Sequence, residues 1–129
     1  MNKIIVEVSI GELLDKISIL EIKLEKIKDP EKLKFISNEH SILKDKLDNN
    51  VKSDVKLNNL FKLLKEINLK LWVIEDDKRQ CEKDKDFGKK FIKLSRDVHF
   101  LNDDRAKIKL EINNHTNSSI KEIKEYTSY

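Results

Sequence analysis

The stretch NLKLWVIEDDKR, residues 68–79, sets Asn68, Trp72, Glu75 and Arg79 at 4-3-4 spacing, which puts all four on one stripe of a helix. An amide, an indole, a carboxylate and a guanidinium on one face allow two kinds of chemistry. They can form a polar network that fixes helix register, covered by the indole, or they can form one wall of a binding site. In the second case Trp72 stacks on the ligand while its neighbours hold polar substituents. A second unusual residue, Arg105, interrupts an otherwise apolar seam. A guanidinium does not shed its proton, so one at a core position needs a carboxylate partner or a ligand anion. The tight turn KDFGKK joins the two segments, so they should run antiparallel. With the turn centred near 87–88, position 105 faces 70–72, one turn from Glu75 and from Asn68. Asn102 and Lys109 flank the same face. The sequence therefore predicts that the Asn68 stripe meets Asn102, Arg105 and Lys109, with Glu75 as the counter-charge of Arg105. A small anionic ligand would find Arg105, Arg79 and Lys109 as basic groups.

Other chemistry is thinly represented. Glu12 and Asp15 at i, i+3, with Glu75 and Asp76, resemble the carboxylate pairs by which all-helical nucleotide pyrophosphohydrolases hold magnesium. Adjacent residues such as Glu75 and Asp76 point about 100° apart on a helix, and Glu12 is engaged by a cap. The expectation is no metal site and no cofactor, with magnesium kept only under an enzymatic alternative. His40 falls on an apolar seam and reads as a satisfied core histidine, while His99 and His115 have no partner at metal-ligand spacing. Cys81 is alone, which excludes an internal disulfide and a CxxC motif. Catalytic triads, glycine-rich phosphate loops and nucleophile elbows are absent from the sequence.

The elements that must position these residues are helices. A chain of 129 residues with 40% charged and 38% hydrophobic residues, two glycines and one proline suits a single helical domain over 1–129 and not a sheet protein. After a short extended segment, Ile4–Val8, the sequence SIGE supplies a capping box in which Ser9 and Glu12 satisfy each other's amides. The apolar spacing predicts helices over about 10–28, 30–47, 54–84 and 87–114. Asp29 with Pro30 starts the second, Ser53 or Asp54 the third, and Asp86 the fourth. DNN at 48–50 reads as a loop, and the tail IKEIKEYTSY suits a short helix or an extended strand equally. Each helix alternates apolar residues at 3-4 spacing, as in a coiled-coil seam, so the expected fold is an all-α antiparallel four-helix bundle with long third and fourth helices. Ile19 and Ile22, and Leu69 and Val73, lie off their own seams. An apolar second face means contact with another subunit or a helix surrounded on all sides, and a homo-oligomer is expected. The net charge of +3, with both signs interspersed, argues against nucleic acid as a partner. The short apolar start and the lack of any ~20-residue apolar run argue against a signal peptide or a membrane span, so the chain reads as soluble and cytoplasmic.

The segments VSIGELLDKISILEIKLEKI, INLKLWVIEDDKR, FIKLSRDVHFLNDDRAKIKLEIN and NSSIKEIKEYTSY, in this order and over nearly the whole chain, resemble a domain-of-unknown-function family of small bacterial and phage proteins. Residues that match its motif are Ser9, Gly11, Glu12, Asp15, Lys16, Asn68, Trp72, Glu75, Asp76, Arg79, Arg96, Asn102, Asp103, Arg105 and Lys109, while His99 stands where relatives tend to have tyrosine. The NxxxWxxED and NDxR elements are also similar to a second uncharacterised helical family. Members are often encoded near glycosyltransferases, which implies a role in surface-glycan metabolism and a glycosyltransferase among the partners. The resemblance adds Asp103 to the candidate binding set of Asn68, Trp72, Glu75, Arg79, Asn102, Arg105 and Lys109, with Glu12, Asp15 and Lys16 as a secondary group. Two functions follow as expectations: a helical accessory or binding module with an anion-compatible site between the third and fourth helices, or a small enzyme acting on a phosphorylated or nucleotide-linked metabolite.

Overall fold

The computed structural model describes residues 2–129. Four helices follow one another: α1 (Ile10–Lys26), α2 (Pro30–Asn50), α3 (Val55–Asp84) and α4 (Lys89–His115). The bundle is all-α, with α3 and α4 its longest pair in close contact along their length. The packing is uneven. α1 touches all three other helices, whereas α2 touches only α1 and buries none of its residues.

Local chemistry explains most of the boundaries. Ser9 caps α1, its Oγ accepting from the Glu12 amide at 3.0 Å. Glu12 does not complete the predicted box, because its carboxylate accepts from Lys109 instead. Asp29 caps α2 with Pro30 in the first turn, and Asp54, not Ser53, caps α3 through the Leu57 amide at 2.7 Å. The predicted loop at 48–50 belongs to α2. Val51 N–H still donates to Leu47, and Asn50 ties its own amide to Lys46 carbonyl at 2.8 Å, so the turn falls at 51–54. Asp86 does not cap α4 either. It accepts from the Gly88 amide at 3.2 Å within the connecting turn, and Gly88 takes the cap position with no side-chain bond. The chain after Thr116 forms neither helix nor strand and returns beside α4.

The apolar core sits where α1, the first half of α3 and the end of α4 converge: Leu14, Leu57, Leu60, Leu64 and Ile112. Burying side chains of this kind stabilises by about 1.5–3 kcal/mol each. At this end His115 meets the Asp54 carboxylate at 2.8 Å, and the Ile10 amide donates to Ser118 Oγ at 3.1 Å. α1 is the helix surrounded on several sides. Ile22 is 1% exposed within its own chain, so it does not face another subunit.

Candidate functional site

α1 and α4 run antiparallel and very close, and this contact builds the polar centre of the molecule. A Cβ on Gly11 would lie 2.6 Å from the Lys109 carbonyl and 2.9 Å from Asn113 Oδ1, so only glycine permits the approach. The Gly11 amide in turn donates to Asn113 Oδ1 at 2.7 Å. One turn back along α4, Lys109 Nζ donates to Glu12, the residue after Gly11, at 2.7 Å, and one turn further along each helix Arg105 meets Asp15.

Asp15 is the hub. Its side chain is 2% exposed. Oδ1 accepts from Arg105 Nε at 2.9 Å and from Asn68 Nδ2 at 2.8 Å, and Oδ2 accepts from Arg105 Nη2. Arg105 thus forks onto both carboxylate oxygens, the geometry that a guanidinium satisfies best. Asn68 also donates to Ser18 Oγ at 2.7 Å, whose hydroxyl donates to the Asp15 carbonyl. Lys109 stands 3.9 Å from Asp15 and donates to Glu122 at 2.9 Å. Hydrogen bonding to Asp15 raises the Arg105 pKa, outweighing burial. Burial pulls Lys109 down, but Glu12 and Glu122 more than offset it, so its pKa is raised and the ammonium persists.

The predicted stripe is only partly absorbed by this network. Asn68 and Arg105 enter it, whereas Glu75 does not act as the counter-charge of Arg105. The reason is register. The contacts Lys78–Phe91 and Asp54–His115 place the point of symmetry of the α3–α4 hairpin at Asp84–Lys85. Lys85 adopts a left-handed φ of 56° there and reverses the chain. Residue 105 therefore stands opposite Leu64, about two turns away from the expected position. Trp72, Glu75, Asp76 and Arg79 instead line an open cleft of ≈ 400 Å³ whose floor is Ile19, Ile22 and Leu71. Asn68 and Arg105 reach the cleft from behind. Three helices build it, α1 included. Asn102 accepts weakly from Arg105 at 3.5 Å, Asp103 accepts from the Tyr129 hydroxyl, and Lys16 is exposed, 4.0 Å from Glu12.

Glu12 and Asp15 are thus held by Lys109 and Arg105, and Glu75 and Asp76 lie in the cleft. Among the described residues, no group of three or more His, Cys, Asp or Glu side chains is placed to hold a metal ion. His40 bonds to Glu21 at 3.3 Å. Sequence reasoning missed Ser18, Asn113, Ser118 and Glu122. For Ser18 a signal was available: Gly11, Asp15, Ser18 and Ile22 repeat the 4-3-4 spacing of the Asn68 stripe, and that stripe of α1 is buried from end to end.

These features define an all-α four-helix bundle with a buried Asp–Arg–Asn–Ser centre and an adjoining cleft. The chain belongs to the DUF6165 family of unknown function, whose model matches residues 4–129. No curated protein and no solved structure matches it. No helix among the described residues is long and apolar enough to cross a membrane.

Proposed function

We propose that the chain is a helical binding module that takes a glycan-type ligand in the Trp72 cleft and serves as an accessory in surface-glycan metabolism. The observation that carries this reading is the placement of Trp72 in an open cleft beside Glu75, Asp76 and Arg79, over an apolar floor. A sugar ring has an apolar face that packs on an indole and a rim of hydroxyls that carboxylates and guanidinium groups bind. The Asp15–Arg105–Asn68 centre behind the cleft fixes the wall, so little ordering remains to be done on binding. Arg79, on the exposed rim, suits an anionic substituent such as the phosphate of a sugar phosphate or nucleotide sugar. The glycosyltransferase-rich gene neighbourhoods implied by the family resemblance support the same ligand class.

The reading is tested by thermal shift and tryptophan fluorescence against sugars, sugar phosphates, nucleotide sugars and nucleotides, with and without magnesium. The expected result is a saturable change from a sugar-containing compound that Trp72→Ala abolishes while the variant remains folded. A response to an unphosphorylated sugar that survives Trp72→Ala, or no response to any sugar-containing compound, overturns it. Magnesium-dependent consumption of a nucleotide-linked compound would replace the module with an enzyme.

A further inference from the structure

On the other side of Arg105 from the Trp72 cleft lies a smaller cavity of ≈ 90 Å³, walled by Asn102, Arg105, Ala106, Lys109 and Lys124. Ala106 supplies the room, and three of the lining side chains are cations. Lys109 is the deepest, its side chain 9% exposed. Cations converge in this way only around negative charge. Two of the carboxylates that supply it, Glu12 and Asp15, are fixed on α1. The third, Glu122, lies on the irregular segment that runs back along α4. That segment is held at Ser118, at the Glu122–Lys109 contact of 2.9 Å, and at Tyr129, which meets His99 and Phe100 edge-to-face and donates to Asp103. Glu122 also pairs with Lys124 at 3.2 Å. If Glu122 swings away, Arg105, Lys109 and Lys124 outnumber Glu12 and Asp15 by one charge. Nη1 of Arg105 then keeps donors to spare, since its one bond, to Asn102, is long.

We propose that this cavity is a site for a phosphate-class oxyanion, and that Glu122, which bridges Lys109 and Lys124 in its wall, competes with the oxyanion for these two ammonium groups and is displaced when it binds. The volume equals about three water molecules, which suits one tetrahedral anion and excludes a larger body. A doubly charged phosphate gains more from three cations than the single charge of Glu122 does. Its oxygens accept from a guanidinium edge and two ammonium groups at once. Displacing Glu122 removes its hold on Lys109, while Lys124 on the same segment stays on the oxyanion, so binding loosens the chain between Ser118 and Lys124. The oxyanion can be inorganic phosphate itself or the phosphate end of a sugar phosphate, and the two arms of the test separate these sources.

The full chain is titrated with inorganic phosphate and, separately, with glucose 1-phosphate, against sodium chloride at matched ionic strength. Binding is followed by calorimetry, and loosening of the segment by tryptic cleavage after Lys121. Saturable binding with faster cleavage is expected. Glu122→Gln should tighten phosphate binding roughly tenfold by removing the competing charge, Lys124→Ala should weaken it, and Trp72→Ala should leave it unchanged. With both ligands titrated into the Trp72→Ala chain, equal affinities identify the free oxyanion as the source, and a much tighter glucose 1-phosphate identifies the ester. An effect that chloride reproduces, or binding that Glu122→Gln leaves unchanged or weakens, overturns the proposal.

Discussion

At the scale of single residues, the energetics turn on Asp15, a carboxylate held almost entirely out of water by one guanidinium and one amide. The two sides of this pair are unequally buried, since the Arg105 side chain retains 29% exposure. Arg105→Met strands the carboxylate, leaving it Asn68 and a distant Lys109, and should cost about 3–5 kcal/mol. Asp15→Asn leaves a guanidinium that can turn to solvent and should cost about 1–3 kcal/mol. The double variant should cost much less than the two together. Glu75→Gln, on the exposed rim of the cleft, should stay within about 0.5 kcal/mol of the parent. Denaturant unfolding of the four proteins checks all of these values, and a strongly destabilised Glu75→Gln would contradict the assignment. The sequence announced that Arg105 needs a partner, because charge at a seam position is visible in periodicity. It did not reveal which carboxylate answers. That depends on the residue at which the α3–α4 hairpin reverses and on how closely α1 approaches α4, which is set by contacts between segments distant in sequence.

At the scale of elements, the start of each of the first three helices was legible because side-chain caps are local chemistry: Ser9, Asp29 and Asp54 each accept from an amide two or three residues on. The ends of α2 and the start of α4 were less so. Asn50 satisfies its amide inside the helix that a loop-forming triplet was expected to end, and Gly88 makes no side-chain bond at all. Lys85, left-handed at the end of α3, is an exposed non-glycine residue in a conformation that costs roughly 1–2 kcal/mol. Its contact with Glu82 at 3.7 Å is a surface pair of little consequence. Lys85→Gly should therefore raise stability by about 0.5–1 kcal/mol, read as a higher denaturant midpoint with an unchanged slope.

The C-terminal segment carries its own pH dependence. Lys109, and less strongly Lys124, hold the Glu122 carboxyl below its ordinary value of 4.5. A depressed value means that its contribution to docking is complete above 4.5 and is lost as pH falls through the folded value. Arg105 and Lys109 keep their charge throughout, so the response in this window is that of Glu122. The NMR order parameters of residues 119–129 should fall below about pH 4.5. In Glu122→Gln they should already be low at neutral pH, with no further step through that window.

At the scale of the whole molecule, the test of self-association turns on which apolar residues the fold keeps inside and which it leaves outside. The four off-seam residues divide. Ile22 is fully buried in its own chain, and Ile19 lines the floor of the cleft. Leu69 and Val73 face a groove of ≈ 600 Å³ with Ile74, Phe100 and Leu101 between α3 and α4. Val73 is 47% exposed, and Phe100 extends the apolar surface toward Ile92. A continuous patch of this kind on a chain otherwise rich in interspersed charge is where a second copy would bury most at least cost in desolvated ions. Sedimentation of the purified chain should show a dimer or larger species. Val73→Lys, which places a charge in the groove without touching the core, should give a folded, smaller species. Ile22→Lys should behave differently, losing cooperative unfolding, because an ammonium there is buried in the bundle with no partner. A parent chain that stays monomeric at every accessible concentration, or an Ile22→Lys chain that stays folded and only dissociates, would place the interface elsewhere.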